Sequence, residues 1–118
     1  MTLPNPEQAV VDPRKLLHYC LNPAHPRGRH KARLFASALG ITQKNAEELR
    51  AALLRAALDE EALPAQEDDY GRHYMVDFEM KSSSGKAIVR SSWIVLAGEN
   101  FPRLTTCYVL RRMKGDGT

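Results

Sequence analysis

Lys31, Arg90, Thr106, Tyr108 and His30 are residue types that together can cleave a phosphodiester. Breaking RNA by attack of its own 2′-hydroxyl needs a base to take that proton, an acid for the leaving oxygen, and cations to neutralise the phosphorane. Histidine titrates near neutrality and suits the proton transfers, so His30 is the first candidate, with His25 and His73 in reserve and His18 read as a surface residue. Lys31 and Arg90 suit the charge, and the hydroxyls of Thr106 and Tyr108 can orient phosphate oxygens. Arg27, Arg29, Arg33, Trp93 and Thr105 are the companion candidates for binding substrate.

Each of these residues also has a structural reading. His30, Lys31 and Arg33 can form a solvated basic turn, and Arg90 can pair with Asp77 or Glu79. Thr105 and Thr106 are good strand formers, and Trp93 and Tyr108 can be core aromatics with a hydrogen-bonded polar tip. Other chemistries lack their signatures. The chain has no GxSxG, P-loop, GxGxxG or HExxH pattern, and His25 and His30 lie five apart without an acidic or cysteine partner at ligand spacing. The expectation is therefore no metal and no cofactor.

The elements that must position these residues follow from periodicity. Residues 1–11, with Pro4 and Pro6, read as an extended lead-in that adds a short edge strand or lies along the core. Asp12-Pro13 starts a helix that runs to about residue 21, with Leu16, Leu17, Cys20 and Leu21 on one face. The segment NPAHPRGRHKAR, residues 22–33, is a basic loop entering a second helix over 29–39, which buries Ala32, Phe35 and Leu39 with Leu34 and Ala38 beside them and closes at Gly40. Thr42 caps a third helix over 43–58. Residues 59–69, DEEALPAQEDD, read as an acidic connector, either a solvated loop or a flap over a basic site.

Beyond the connector the period changes to alternation. Tyr74, Val76, Phe78 and Met80 face one way and His73, Met75, Asp77 and Glu79 the other, with a hairpin turn at SSSG. The strand over 86–96 is apolar on both faces except at Arg90. Two hairpin registers are open. Pairing Lys81 with Lys86 puts Arg90 beside His73, Asp77 and Glu79; pairing Ser82 with Lys86 puts it beside Phe78. A Gly98-Glu99-Asn100 turn leads to a last strand carrying Thr105, Thr106 and Tyr108, and the tail 113–118 reads as frayed. The fold class is α+β, with N-terminal helices packed on one face of a three- to four-stranded antiparallel meander. The 118 residues make one domain: a helical part over 12–58, the connector, and the sheet over 70–112.

Composition narrows the partners. A net charge of +3 is compatible with RNA, and no apolar run approaches the about 18 residues of a membrane span. The opening MTLPNPEQ has neither the basic nor the apolar region of a signal peptide, so a cytoplasmic protein, or an effector delivered without one, is expected. Cys20 and Cys107 are too far apart in sequence for a zinc motif and read as buried apolar thiols.

The segments LNPAHPRGRHKARLFASALGI, YGRHYMVDFEMKSSSGKAIVRSSWIV and FPRLTTCYVL together resemble a family of small bacterial domains with the pattern HPxGxxKAxxF, VRxxW and PRLxTxY. The resemblance spans nearly the whole chain. It places the family's lysine at Lys31, its arginine at Arg90, its tryptophan at Trp93, its threonine at Thr106 and its tyrosine at Tyr108. His30 falls at a variable position, and Val109 replaces the proline that usually follows the tyrosine. The order of helices, meander and final TxY strand is similar to the barnase, EndoU, colicin D/E5 and RelE-like ribonuclease toxins. That similarity implies a metal-independent endoribonuclease toxin of a toxin–antitoxin, polymorphic-toxin or phage system, with RNA as substrate and a cognate antitoxin or immunity protein as partner. The alternatives are a non-catalytic protein-binding module (antitoxin, immunity or phage accessory protein) and an RNA-binding domain without cleavage.

Overall fold

Asp12 opens the first helix as its chemistry predicts: its carboxylate accepts from the Arg14 backbone N–H at 3.0 Å and pairs with the Arg14 guanidinium at 2.8 Å. In the computed structural model, which describes residues 1–113, this helix (α1) is an α-turn, Pro13–Lys15, continued by a π-turn, Leu16–Cys20. The sequence pattern predicts an uninterrupted α-helix here. Instead the Leu21 N–H reaches back five residues to the Leu16 carbonyl at 2.8 Å, and the wider turn buries Leu16, Cys20 and Leu21 together.

The second helix, α2 (Arg29–Leu39), ends on Gly40 at φ +65°, a left-handed conformation that glycine adopts without strain. It buries Ala32, Phe35, Ala38 and Leu39, whereas Leu34, expected beside this stripe, is exposed. Thr42 and Asn45 cap the entry to α3 (Ala46–Asp59) reciprocally: the Thr42 hydroxyl accepts from the Lys44 N–H, and the Asn45 side chain accepts from the Thr42 N–H. Leu49, Leu53, Ala56 and Ala57 form its buried face.

Four strands form one antiparallel sheet in sequence order: β1 (Leu63–Asp68), β2 (Gly71–Ser82), β3 (Gly85–Leu96) and β4 (Arg103–Met113). The first strand corrects the reading of 59–69 as a connecting loop. Leu63 pairs with Met75 and Asp68 with Gly71, and the Asp68 carboxylate holds the His73 ring at 2.9 Å. Every β1 residue is exposed, so its acidic side chains stay in water while its backbone completes an edge ladder, where Pro64 is tolerated. The lead-in lies along the core, with Leu3 and Val11 buried, and Val10 adds one parallel bridge beside Arg103. The frayed-tail expectation falls, beyond Met113, outside the described residues.

Lys81 pairs with Lys86 and Ser82 with Gly85, so the β2–β3 hairpin turns on Ser83 and Ser84, and Arg90 lies directly opposite Asp77. The helices cover the other face, where Tyr74, Val76 and Phe78 of β2 meet Val89, Trp93 and Val95 of β3. Ser91 is the one buried polar residue among those described, and it is fully satisfied. Its hydroxyl donates to the Val76 carbonyl at 2.7 Å and accepts from the Trp93 indole N–H at 2.9 Å.

Two outcomes follow for stability. Trp93→Ala removes the largest fully buried side chain and is expected to cost about 3–5 kcal/mol in chemical denaturation. Trp93→Phe, which takes the indole donor from Ser91 and leaves a smaller ring in the core, is expected to cost roughly 1–3 kcal/mol. Asp12 supplies a pH signature, because its hydrogen bonds with Arg14 lower its pKa from 3.8 to about 2. A depressed carboxyl pKa stabilises the fold above the unfolded value and loses that contribution as pH falls toward the folded one. The melting-temperature gap between wild type and Asp12→Asn is therefore expected to hold above pH 3.8 and close on acidification toward pH 2. A gap unchanged across that interval would contradict the cap.

Candidate functional site

The basic loop ahead of α2 is tied down by its own histidine. His25 Nδ1 accepts from the backbone N–H groups of Arg27 and Gly28, each at 3.0 Å, and so carries no proton in this arrangement. The tight turn presses Gly28 against α1, where a Cβ would run into the Tyr19 carbonyl oxygen. The His25 ring meets Tyr19 edge-on with centroids 4.9 Å apart. Loop and ring together fix Tyr19, and its hydroxyl accepts from Lys31 Nζ at 2.8 Å.

Lys31 occupies the first turn of α2 on the same side as Phe35 and Ala38, so its stem follows the buried stripe toward β4. Its ammonium lies 4.9 Å from the centre of the Tyr19 ring and 5.8 Å from that of Tyr108. Tyr19 holds the ammonium through its hydroxyl, and attraction to the Tyr108 ring adds about 0.5–1 kcal/mol. Among the described residues no carboxylate pairs with it at salt-bridge distance, which leaves the charge available to an external anion.

From Tyr108 the row continues across the sheet. Tyr108 pairs with Arg90 on β3, and Arg90 pairs with Asp77 on β2. Arg90 grips Asp77 through two 2.9 Å hydrogen bonds, and Asp77 first, then Tyr108, stabilise the guanidinium charge and raise its pKa. Because β4 is the last strand of the sheet, Tyr108 meets Lys31 from α2 and Arg90 from β3. Beside it, the Thr106 hydroxyl lies 3.9 Å from Cys20 Sγ. Cys107 lowers the pKa of Cys20 against the opposing effect of burial, while Cys20 and burial push that of Cys107 up.

The structure thus brings Lys31, Arg90, Thr106 and Tyr108 to one margin of the sheet and separates the other candidates from them. Trp93 is 0% exposed and belongs to the core rather than to any substrate surface. Thr105 donates to the Ser92 carbonyl at 3.1 Å within a bulge of β4. Arg27 and His30 are exposed, and Arg29 and Arg33 lie two positions to either side of Lys31, about 200° around the helix. They rim a separate hollow of about 480 Å³ with Lys44, over a floor that includes Leu21, Ala32 and Ala36. A second hollow, of about 620 Å³, lies between α3 and β2 near Arg55 and Lys81. His73 serves β1, and His18 is exposed. Tyr19 is the member that sequence reasoning missed, since no periodicity joins a helix residue to a lysine 12 positions later.

Residues 2–111 match the family model described as Domain of unknown function (DUF6883). The chain belongs to this family. The DUF6883 match covers all three segments that carry the resemblance drawn from the sequence. No curated protein matches the chain. Among solved structures, a chain of the contact-dependent growth inhibition toxin–immunity protein complex from Klebsiella pneumoniae 342 superposes with a TM-score of 0.63 at 18% identity, covering 84% of this chain and 97% of that one. At that identity the likeness is one of fold. No helix of this DUF6883 chain, among the described residues, is long and apolar enough to cross a membrane.

The contact between Gly28 and Tyr19 yields a direct test. Gly28→Ala is expected to cost about 1–3 kcal/mol through overpacking and to weaken whatever Lys31 does. An unchanged denaturation midpoint would show that the loop does not rest on α1.

Proposed function

We propose that this DUF6883 domain is a toxin-system protein that cleaves RNA through attack of the 2′-hydroxyl, with charge neutralised by side chains. The observation that carries the proposal is the row Lys31, Tyr108, Arg90, in which a tyrosine stands between two cations and Lys31 has no carboxylate partner among the described residues. Lys31 stabilises the charge on the phosphorane, Arg90 holds a second oxygen, and Tyr108 and Thr106 position the scissile phosphate. The 2′-oxygen bonds to phosphorus as the 5′-oxygen leaves; solvent takes the proton from the first and gives one to the second, so His30, exposed on α2, is not required by this scheme. The Klebsiella neighbour, taken from a toxin–immunity complex, supports a place in a toxin system and a protein partner.

A second reading, a non-catalytic partner-binding module, is favoured by one feature: two hollows, of about 620 and 480 Å³, lie away from the row. The readings separate on induced expression and on purified protein incubated with RNA. The nuclease reading expects growth arrest and RNA products. Lys31→Ala, Arg90→Ala and Tyr108→Phe are each expected to reduce cleavage by roughly 10²–10³-fold while the variants still melt cooperatively. Intact RNA with a wild-type protein that causes no arrest would discard the nuclease and leave the binding module. Salt-dependent RNA binding without products would identify a domain that binds but does not cut.

A further inference from the structure

The hollow of about 480 Å³ beside α2 has the make-up of a recognition groove. Ala32 and Ala36, one helical turn apart, form a low apolar strip, and Leu21 joins them from the end of α1. Arg29 and Arg33, also one turn apart, border this floor together with Lys44 from the turn before α3. Arg14, Arg50, Arg90 and Arg103 each hold a carboxylate of this chain, whereas Arg29, Arg33 and Lys44 form no ion pair among the described residues. Three unneutralised cations around an apolar floor suit a ligand that is anionic at its margins and apolar at its centre. Protein and RNA both offer anions, and the floor decides between them. No aromatic ring lines the hollow for a base to stack on. An aliphatic side chain fits that floor, and carboxylates on either side of it match the arginines, whose guanidinium groups take carboxylates bidentately.

We propose that this groove docks an acidic segment of a partner protein. An aliphatic side chain of that segment enters the hollow, while flanking aspartates or glutamates meet Arg29, Arg33 and Lys44. The exposed acidic strand β1 of a second copy, with Glu67 and Asp68, carries similar charge, but that contact would be head-to-tail and would propagate from copy to copy. Arg29 and Arg33 lie about 200° around α2 from Lys31, so a docked segment leaves the row Lys31, Tyr108, Arg90 open. The inference rests on the toxin-system reading for the existence of a partner and takes nothing from the nuclease chemistry.

The test titrates the isotopically labelled full chain with the peptide acetyl-Asp-Glu-Leu-Glu-Asp-amide and follows backbone amides by nuclear magnetic resonance. Shifts are expected at Ala32, Arg33, Ala36 and Lys44 and absent at Arg90 and Tyr108. Arg33→Glu and Lys44→Glu are each expected to weaken binding at least about tenfold, as loss of a charge-assisted hydrogen bond does. Both side chains are exposed, the spectra verify folding, and the wild-type map does not depend on either variant. Glycine in place of the leucine is expected to weaken binding by a similar factor, and equal binding of the two peptides would overturn the apolar contact. Oligouridylate that displaces the peptide from the same residues would assign the groove to RNA. Dimers in sedimentation that Arg33→Glu abolishes would assign it to a second copy, and either result overturns the proposal. So does a peptide that shifts no residue of the groove, an outcome that leaves growth arrest and RNA cleavage to test the toxin reading separately.

Discussion

An ammonium half withdrawn from water must find acceptors, and the arrangement of this domain's N-terminal half follows from how Lys31 finds one. Its partner is the Tyr19 hydroxyl, with the Tyr108 ring centre 5.8 Å away. For Tyr19 to be there, the loop from α1 to α2 must fold back on α1, which requires a residue without a side chain at Gly28 and a cap for the loop's free N–H groups. His25 supplies that cap through Nδ1. Within a motif that looks like a cluster of catalytic histidines and basic residues, His25 and Gly28 serve to place Tyr19 and so Lys31.

The second constraint is register. The β2–β3 pairing puts Asp77, Arg90 and Tyr108 in line across three strands. A slip of one residue would turn Arg90 toward the buried side, where its charge would have no partner. Ser91 secures the alternation one position away, since its hydroxyl joins the Val76 carbonyl to the Trp93 indole inside the core. Trp93 therefore belongs to the core that fixes the sheet, on the face opposite Arg90. Arg90 and Trp93, which share one sequence motif, end on opposite faces with different tasks.

The basic residues around α2 divide in the same way. Along the sequence Arg27, Arg29, Lys31 and Arg33 look like one patch. On a helix of about 3.6 residues per turn, positions two apart point in nearly opposite directions. Lys31 turns to the tyrosines, while Arg29 and Arg33 border a groove with an apolar floor. The converse also occurs: residues 20 and 106 look unrelated in sequence, and the packing of α1 on β4 brings the Cys20 thiol to the Thr106 hydroxyl.

What the sequence by itself determined is what local chemistry encodes. Asp12-Pro13, Gly40 and Thr42 mark helix boundaries, alternation from Tyr74 to Met80 assigns the strand and its buried side, and a family pattern singles out Lys31, Arg90, Thr106 and Tyr108. Tertiary structure decided whatever rests on contacts between distant segments. It added the π-turn of α1, drew an acidic stretch into β1 because backbone pairing needs no apolar side chain, and selected between two hairpin registers of equal local merit. It also chose Tyr19, which no spacing rule could find, because a hydroxyl becomes a lysine's partner only when two helices and the loop between them have packed.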